Sequence, residues 1–136
     1  LGVAGLSRGG LIALHLLSHP EVLAMVGLAP LVNLKKLTEF ESCDLSQLDA
    51  LSLNDKRSLL IQKKIKFFIG NRDTRVSTEE AFAFLTQLAD LAYDSRIRSP
   101  PFEMEIAPSC GLQGHGTLPH TFEAAAKWLC KQIVAP

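Results

Sequence analysis

The amino-acid sequence predicts an α/β fold, a three-layer sandwich in which helices cover a mostly parallel sheet. Three observations support this prediction. Short apolar runs of strand length alternate with longer segments of helical periodicity. The chain has 136 residues, the usual size of one domain. Its composition is 47% hydrophobic, which is enough apolar material to bury a core.

The first part of the chain contains two predicted strands. Residues 1–6 are an apolar run typical of the end of a buried strand, and the apolar helix that follows Ser7 ends at His19-Pro20. The helix ends there because proline disfavours helical backbone in the residue before it. Residues 23–29 are a second continuous apolar run, as expected of a parallel strand covered on both faces.

Residues 30–64 have the least regular pattern in the chain. Short helices are expected within residues 34–40 and 52–62. The stretch fits either a small lid over a functional site or a plain crossover between two strands. The crossover is the favoured interpretation.

A third strand is predicted at residues 65–69, and Gly70 ends it. Ser77 and Glu80 have the spacing of a capping box, which predicts a helix that runs to about Tyr93. The apolar residues of that helix recur at helical spacing: Ala81, Leu85, Leu88 and Ala92.

Residues 102–106 alternate strictly between apolar and charged side chains, as in a strand near the edge of a sheet. A polar, glycine-rich loop at residues 109–116 follows, and then a last amphipathic helix. Because strands alternate with helices, right-handed crossovers and a parallel sheet are expected. The predicted apolar face of the last helix comprises Phe122, Ala125, Ala126, Leu129 and Ile133.

Charge and cysteine content limit the classes of function. Lys plus Arg and Asp plus Glu are both 14, so no basic excess favours nucleic acid or an anionic membrane. No apolar run approaches the ~20 residues that span a bilayer, and no secretory signal is visible. Cys43, Cys110 and Cys130 have no metal-ligand spacing, so we expect free thiols, no metal and a cytoplasmic location. The chain starts with Leu1 rather than Met, and we expect it to be truncated.

The segment Gly5-Leu6-Ser7-Arg8-Gly9 fits the pattern G-x-S-x-G, with a predicted strand before it and a helix after it. Glycine, serine and glycine at this spacing occur by chance in many loops. The strand and helix around them favour a nucleophilic Ser7. The two glycines are expected to make room for a sharp turn, which aims the Arg8 backbone N–H at a developing oxyanion.

A serine nucleophile needs a base, and the chain has four histidines. His15 and His19 lie along the helix that follows Ser7 and are interpreted as packing or surface residues. His115 lies in the loop after the last strand, at the end of the sheet where α/β active sites are found, and is the candidate base. His120, in the first turn of the last helix, is the weaker candidate.

An imidazole base works best when an acid fixes its tautomer. Asp73 follows the third strand and is therefore expected near Ser7 and His115. The alternative is a loop aspartate that caps a turn or pairs with Arg72 or Arg75. The presence of all three complementary groups in loops after three strands favours the catalytic interpretation.

The motifs together resemble those of α/β-hydrolases, and the resemblance covers essentially all of the chain. It implies the C-terminal half of that fold. Three segments carry it: Gly5-x-Ser7-x-Gly9-Gly10 is similar to the elbow of prolyl-oligopeptidase-like peptidases and related esterases, Gly70-x-x-Asp73-x-x-Val76 to the family's acid loop, and Gly114-His115-Gly116 to its histidine loop.

The resemblance implies that the four predicted strands are the fifth to eighth of an eight-stranded, mostly parallel sheet. Residues 1–136 would then be the C-terminal part of a single catalytic domain, with its N-terminal half missing. The family's second oxyanion donor would lie upstream of Leu1. The implied activity is that of a serine hydrolase that cleaves an ester or amide through an acyl-enzyme on Ser7. Small-molecule esters or peptide-like substrates are expected, and no cofactor.

Two other functions stay open. The same three residues would serve an acyltransferase, in which an alcohol or thiol replaces water. A non-catalytic binding module with this fold usually lacks one of the three. Cys110 is an alternative nucleophile, but no strand-to-helix turn precedes it. The glycines also lack the G-x-G-x-x-G or Walker pattern of a phosphate loop.

Overall fold

A computed structural model describes residues 1–134 of the chain. Strands and helices alternate over this range, with short 3₁₀ turns between some of them. The strands are β1 (Gly2–Leu6), β2 (Ala24–Leu28), β3 (Lys64–Gly70) and β4 (Phe102–Ala107). The helices are α1 (Arg8–Leu17), α2 (Leu45–Ala50), α3 (Arg57–Leu60), α4 (Thr78–Asp94) and α5 (Pro119–Val134).

The four strands form one parallel sheet in the order β1-β2-β3-β4. In register, Gly5 pairs with Gly27, Gly27 with Phe67, and Phe67 with Met104. Because all four strands run in one direction, their carboxyl ends lie together along one edge of the sheet, which we call its carboxyl end. The predicted α/β class and parallel sheet are confirmed.

Helices cover both faces of the sheet. The larger apolar core lies on the face that α1 and α4 cover, where Leu14, Phe67 and Leu88 are fully buried. A smaller core lies on the opposite face, where Val26 and Phe68 pack against Ala125 of α5. Every residue of β2 is buried, as its apolar run predicts.

The capping-box prediction for α4 is confirmed, since the Ser77 hydroxyl accepts a hydrogen bond from the Glu80 N–H over 3.2 Å. The strand predicted at residues 1–6 is present as β1, which lies at one side of the described sheet, and Gly5 is its buried residue. One other prediction is wrong. The apolar face predicted for α5 is largely exposed. Ala125 is its buried residue in the described part of the helix.

We call residues 31–63, between β2 and β3, the crossover segment. The single helix predicted at residues 34–40 is two 3₁₀ turns, Leu34–Lys36 and Thr38–Phe40. The helix predicted at residues 52–62 is limited to a 3₁₀ turn and the four-residue α3. Helix α2 was not predicted from the sequence. It has six residues, of which Leu48 is buried, and one buried residue gives no apolar periodicity that could indicate a helix.

Within residues 1–134, no helix combines the length and the apolar character needed to cross a bilayer. Among the described residues, Cys43, Cys110 and Cys130 form no disulfide with one another.

Candidate active site

Ser7 lies in the turn between β1 and α1, at the carboxyl end of the sheet. Its φ of 55° lies in the left-handed region, which non-glycine residues rarely adopt. The Ser7 N–H donates to the Leu28 carbonyl over 3.0 Å. The Ser7 carbonyl accepts from the N–H groups of Gly10 and Leu31, each over 2.9 Å. These bonds to the start of α1 and to the end of β2 stabilise a turn that is strained by itself.

At two positions near Ser7, only glycine fits, because a side chain would collide with neighbouring atoms. A Cβ atom at Gly5 would collide with the Gly9 carbonyl, and one at Gly10 would lie 2.6 Å from Pro30 Cβ. A Cβ atom at Gly9 would meet nothing within 4 Å. The prediction that Gly5 and Gly9 both make room for the turn is therefore right for Gly5 and wrong for Gly9, which faces open space.

Arg8 is the first residue of α1. Its N–H has no carbonyl one turn earlier in the helix, because the first N–H groups of any helix lack intrahelical partners. The helix dipole adds partial positive charge at the same end. The Arg8 N–H is thus a suitable donor to a negative oxygen beside Ser7.

Asp73 lies in the β3–α4 loop, residues 71–77, and its side chain is 0% exposed. Its Oδ1 accepts from the N–H groups of Arg75 and Val76, each over 3.0 Å. Its Oδ2 faces His115 Nδ1 at 2.7 Å. A buried carboxylate without partners would be costly, and these three hydrogen bonds offset that cost.

His115 lies in the β4–α5 loop, residues 108–118, and its side chain is 16% exposed. Its Nε2 is 2.8 Å from Ser7 Oγ. Since the ionised carboxylate of Asp73 can only accept, Nδ1 carries the proton of the neutral ring and Nε2 is left to accept from the Ser7 hydroxyl. The structure thus joins the three residues singled out in the sequence into one hydrogen-bonded chain.

Direct contacts hold the β3–α4 and β4–α5 loops together. The Gln113 carbonyl accepts from the Thr74 N–H over 2.9 Å, and Ser109 Oγ accepts from the Arg72 N–H over 2.7 Å. Gly114 has a φ of 70°, and a Cβ atom there would collide with the Arg72 carbonyl. The position of His115 relative to Asp73 therefore depends on these loop contacts, which no sequence motif indicated.

Thr78, the first residue of α4, ties the β3–α4 loop to its own strand. Its hydroxyl donates to the Gly70 carbonyl over 2.7 Å and accepts from the Asp73 N–H over 3.0 Å. Sequence reasoning missed this residue, although a threonine in the first turn of a helix is a signal that could have indicated it.

The remaining candidates lie elsewhere. His15 Nε2 is 2.8 Å from the Leu51 carbonyl, and His19 Nδ1 accepts from the Glu21 N–H over 3.2 Å. His120 and Cys110 line a cavity of about 280 Å³ between the strand ends and α5. Among residues 1–134, no three His, Cys, Asp or Glu side chains are grouped so that they could hold a metal ion.

No protein-family model matches the sequence, and no curated protein matches it. Solved structures are similar in fold. An esterase of Pyrococcus furiosus superposes with a TM-score of 0.65 at 20% identity, over 96% of this chain and 52% of that protein. The esterase domain of a Rhodothermus marinus protein superposes with a TM-score of 0.66 at 18% identity, over 96% of this chain and 59% of that domain.

A puromycin-hydrolyzing peptidase of Mycobacterium tuberculosis superposes with a TM-score of 0.65 at 17% identity, over 97% of this chain and 22% of that protein. The chain thus spans about half the length of the two esterases and about a fifth of the peptidase. Its parallel sheet, the helices on both faces and these superpositions agree with each other. The chain has an α/β fold that matches about half of the two esterases.

Proposed function

We propose that this chain carries the nucleophile, base and acid of a serine hydrolase that cleaves an ester or amide bond. The hydrogen-bonded chain from Asp73 through His115 to Ser7 is the observation that supports this proposal most directly. The esterases and the peptidase with the same fold also favour a hydrolase.

In the proposed reaction, Ser7 Oγ attacks the carbonyl carbon of the substrate while His115 Nε2 takes the hydroxyl proton. Asp73 keeps the Nδ1 proton in place and stabilises the imidazolium that forms. The Arg8 N–H donates to the oxyanion of the tetrahedral intermediate. His115 then returns the proton to the leaving alcohol or amine, and an acyl-enzyme on Ser7 remains.

Deacylation repeats these steps with water as the nucleophile. His115 takes a proton from water, the hydroxide attacks the acyl carbon, and the returned proton restores the Ser7 hydroxyl. If an alcohol or thiol replaced water at this step, the same residues would perform acyl transfer.

Labelling of the full chain with a fluorophosphonate probe tests the proposal. We expect the modification on Ser7, and we expect Ser7→Ala to lose labelling together with ester hydrolysis, by about 10⁶-fold in kcat if Ser7 acts as the nucleophile. Ser46→Ala is the matched control, because Ser46 is exposed in α2. Undiminished labelling of Ser7→Ala at another residue would contradict the proposal.

A further inference from the structure

Three charged side chains meet beside the candidate active site. Glu39 of the crossover segment accepts a hydrogen bond from the Arg75 guanidinium over 2.8 Å. The other oxygen of the same carboxylate lies 3.8 Å from Arg8 Nη2. One carboxylate therefore faces two guanidinium groups, and one unit of positive charge is left uncompensated within this group.

The two arginines are not held equally. Arg75 has the short contact and its side chain is 27% exposed, whereas Arg8 has the long contact and is 58% exposed. A separation of 3.8 Å between exposed groups contributes little to stability. Arg8 is therefore the guanidinium that is free to bind another anion.

Two other acids, one in the β3–α4 loop and one at the start of α4, are already paired. Asp73 is buried and bonded to two backbone N–H groups and His115. Glu80, at the start of α4, lies 3.3 Å from Lys36 Nζ. Neither carboxylate neutralises Arg8 among the described residues.

Arg8 directly follows Ser7 in the sequence, and Arg75 lies two residues after Asp73, so this group of charges belongs to the two loops that carry the candidate nucleophile and acid. We propose that the site selects substrates that carry a carboxylate close to the scissile bond, and that Arg8 binds this carboxylate. Glu39, which is bonded to Arg75, competes with the substrate for Arg8. This inference rests on the proposed hydrolase function and specifies its substrate class.

A matched pair of esters tests the inference: the mono-4-nitrophenyl ester of glutarate, which is anionic, and its methyl-capped diester, which is neutral. We measure kcat/KM of the full chain for both and compare their ratio, so that any general effect of a variant on the rate cancels. We expect a ratio of about ten in favour of the anionic ester at low salt, the value of one charge-assisted hydrogen bond. The ratio should fall as salt screens the exposed charges.

Two variants should move this ratio in opposite directions. Arg8→Gln should lower it to about one, since the neutral amide gains nothing from the substrate carboxylate. Glu39→Gln should raise it, because it removes the competing carboxylate and keeps the side-chain shape. Arg98→Gln, a substitution of an exposed arginine in the α4–β4 connection, should leave the ratio unchanged.

The outcomes distinguish the two proposals. If neither ester is cleaved and the fluorophosphonate probe does not label Ser7, the hydrolase function itself is wrong. If both esters are cleaved with equal kcat/KM, or if Arg8→Gln keeps the preference for the anionic ester, the function stands and the role of Arg8 is wrong.

Discussion

The carboxyl end of the sheet and the crossover segment are built in different ways. At the carboxyl end, Ser7, Asp73 and His115 lie in loops that are fixed by hydrogen bonds to backbone atoms and to each other. The crossover segment consists of short helical turns that bury single side chains, such as Leu37 and Leu60, in the larger core. Its outer side carries exposed ion pairs, such as Lys35 with Asp49 over 3.1 Å.

The difference suggests a division of tasks between the two regions. Backbone hydrogen bonds in buried surroundings hold side chains in a fixed geometry, which acid–base chemistry requires. Exposed ion pairs contribute little to stability and can rearrange. We therefore expect substitutions at the carboxyl end to alter the rate of the chemical step, and those in the crossover segment to alter specificity or local stability.

The largest difference between the regions is expected for a matched pair of aspartates. Asp73→Asn should reduce kcat about 10⁴-fold, because the amide favours the wrong tautomer of His115. Asp49→Asn, at a side chain that is 63% exposed, should change kcat less than about twofold. Ester hydrolysis and circular dichroism of both variants test this. A loss below tenfold in Asp73→Asn would move the acid role elsewhere, with Glu79 and Glu80 as the next candidates.

The carboxyl end of the sheet and the crossover segment also differ in how well the sequence predicted them. The strands were predictable because each is a short apolar or alternating run, and β3 at Lys64–Gly70 extends its predicted range by one residue on each side. The proximity of Ser7, Asp73 and His115 followed from the shared direction of parallel strands. Their catalytic roles stay predictions.

Contacts between residues far apart in the sequence were not predictable. The bond from the Arg72 N–H to Ser109 Oγ joins positions 37 residues apart, and the bond from Thr74 Oγ1 to the Gln113 carbonyl joins positions 39 apart. No local pattern encodes such pairs. The crossover segment was difficult for a second reason, since its helical turns have three to six residues, which is too short for apolar periodicity to develop.

A smaller effect, confined to the carboxyl end, is expected from two glycines of one motif. Gly5→Ala should destabilise the fold by about 3 kcal/mol, because its Cβ would meet backbone atoms that cannot move aside easily. Gly9→Ala should be neutral or stabilise by up to about 1 kcal/mol, since alanine is the better helix former and the space is open. Thermal unfolding of both variants measures this. Equal destabilisation would show that the motif's two glycines have the same steric role.

The smallest effect is expected at the N-terminus of α2, in the crossover segment. Asp44 Oδ1 accepts from the Ser46 N–H over 3.0 Å, so Asp44→Ala removes a cap and should cost about 1 kcal/mol or less of stability. Asp44→Asn keeps an oxygen acceptor at the same place and serves as the control. Because the carboxyl end of the sheet is held by its own hydrogen bonds, kcat for a neutral ester should stay within about twofold in both variants, even where hydrogen exchange in α2 becomes faster. A parallel loss of kcat in Asp44→Ala but not in Asp44→Asn would mean that order in the crossover segment is transmitted to Ser7, Asp73 and His115, and the two regions would then have to be treated as one unit.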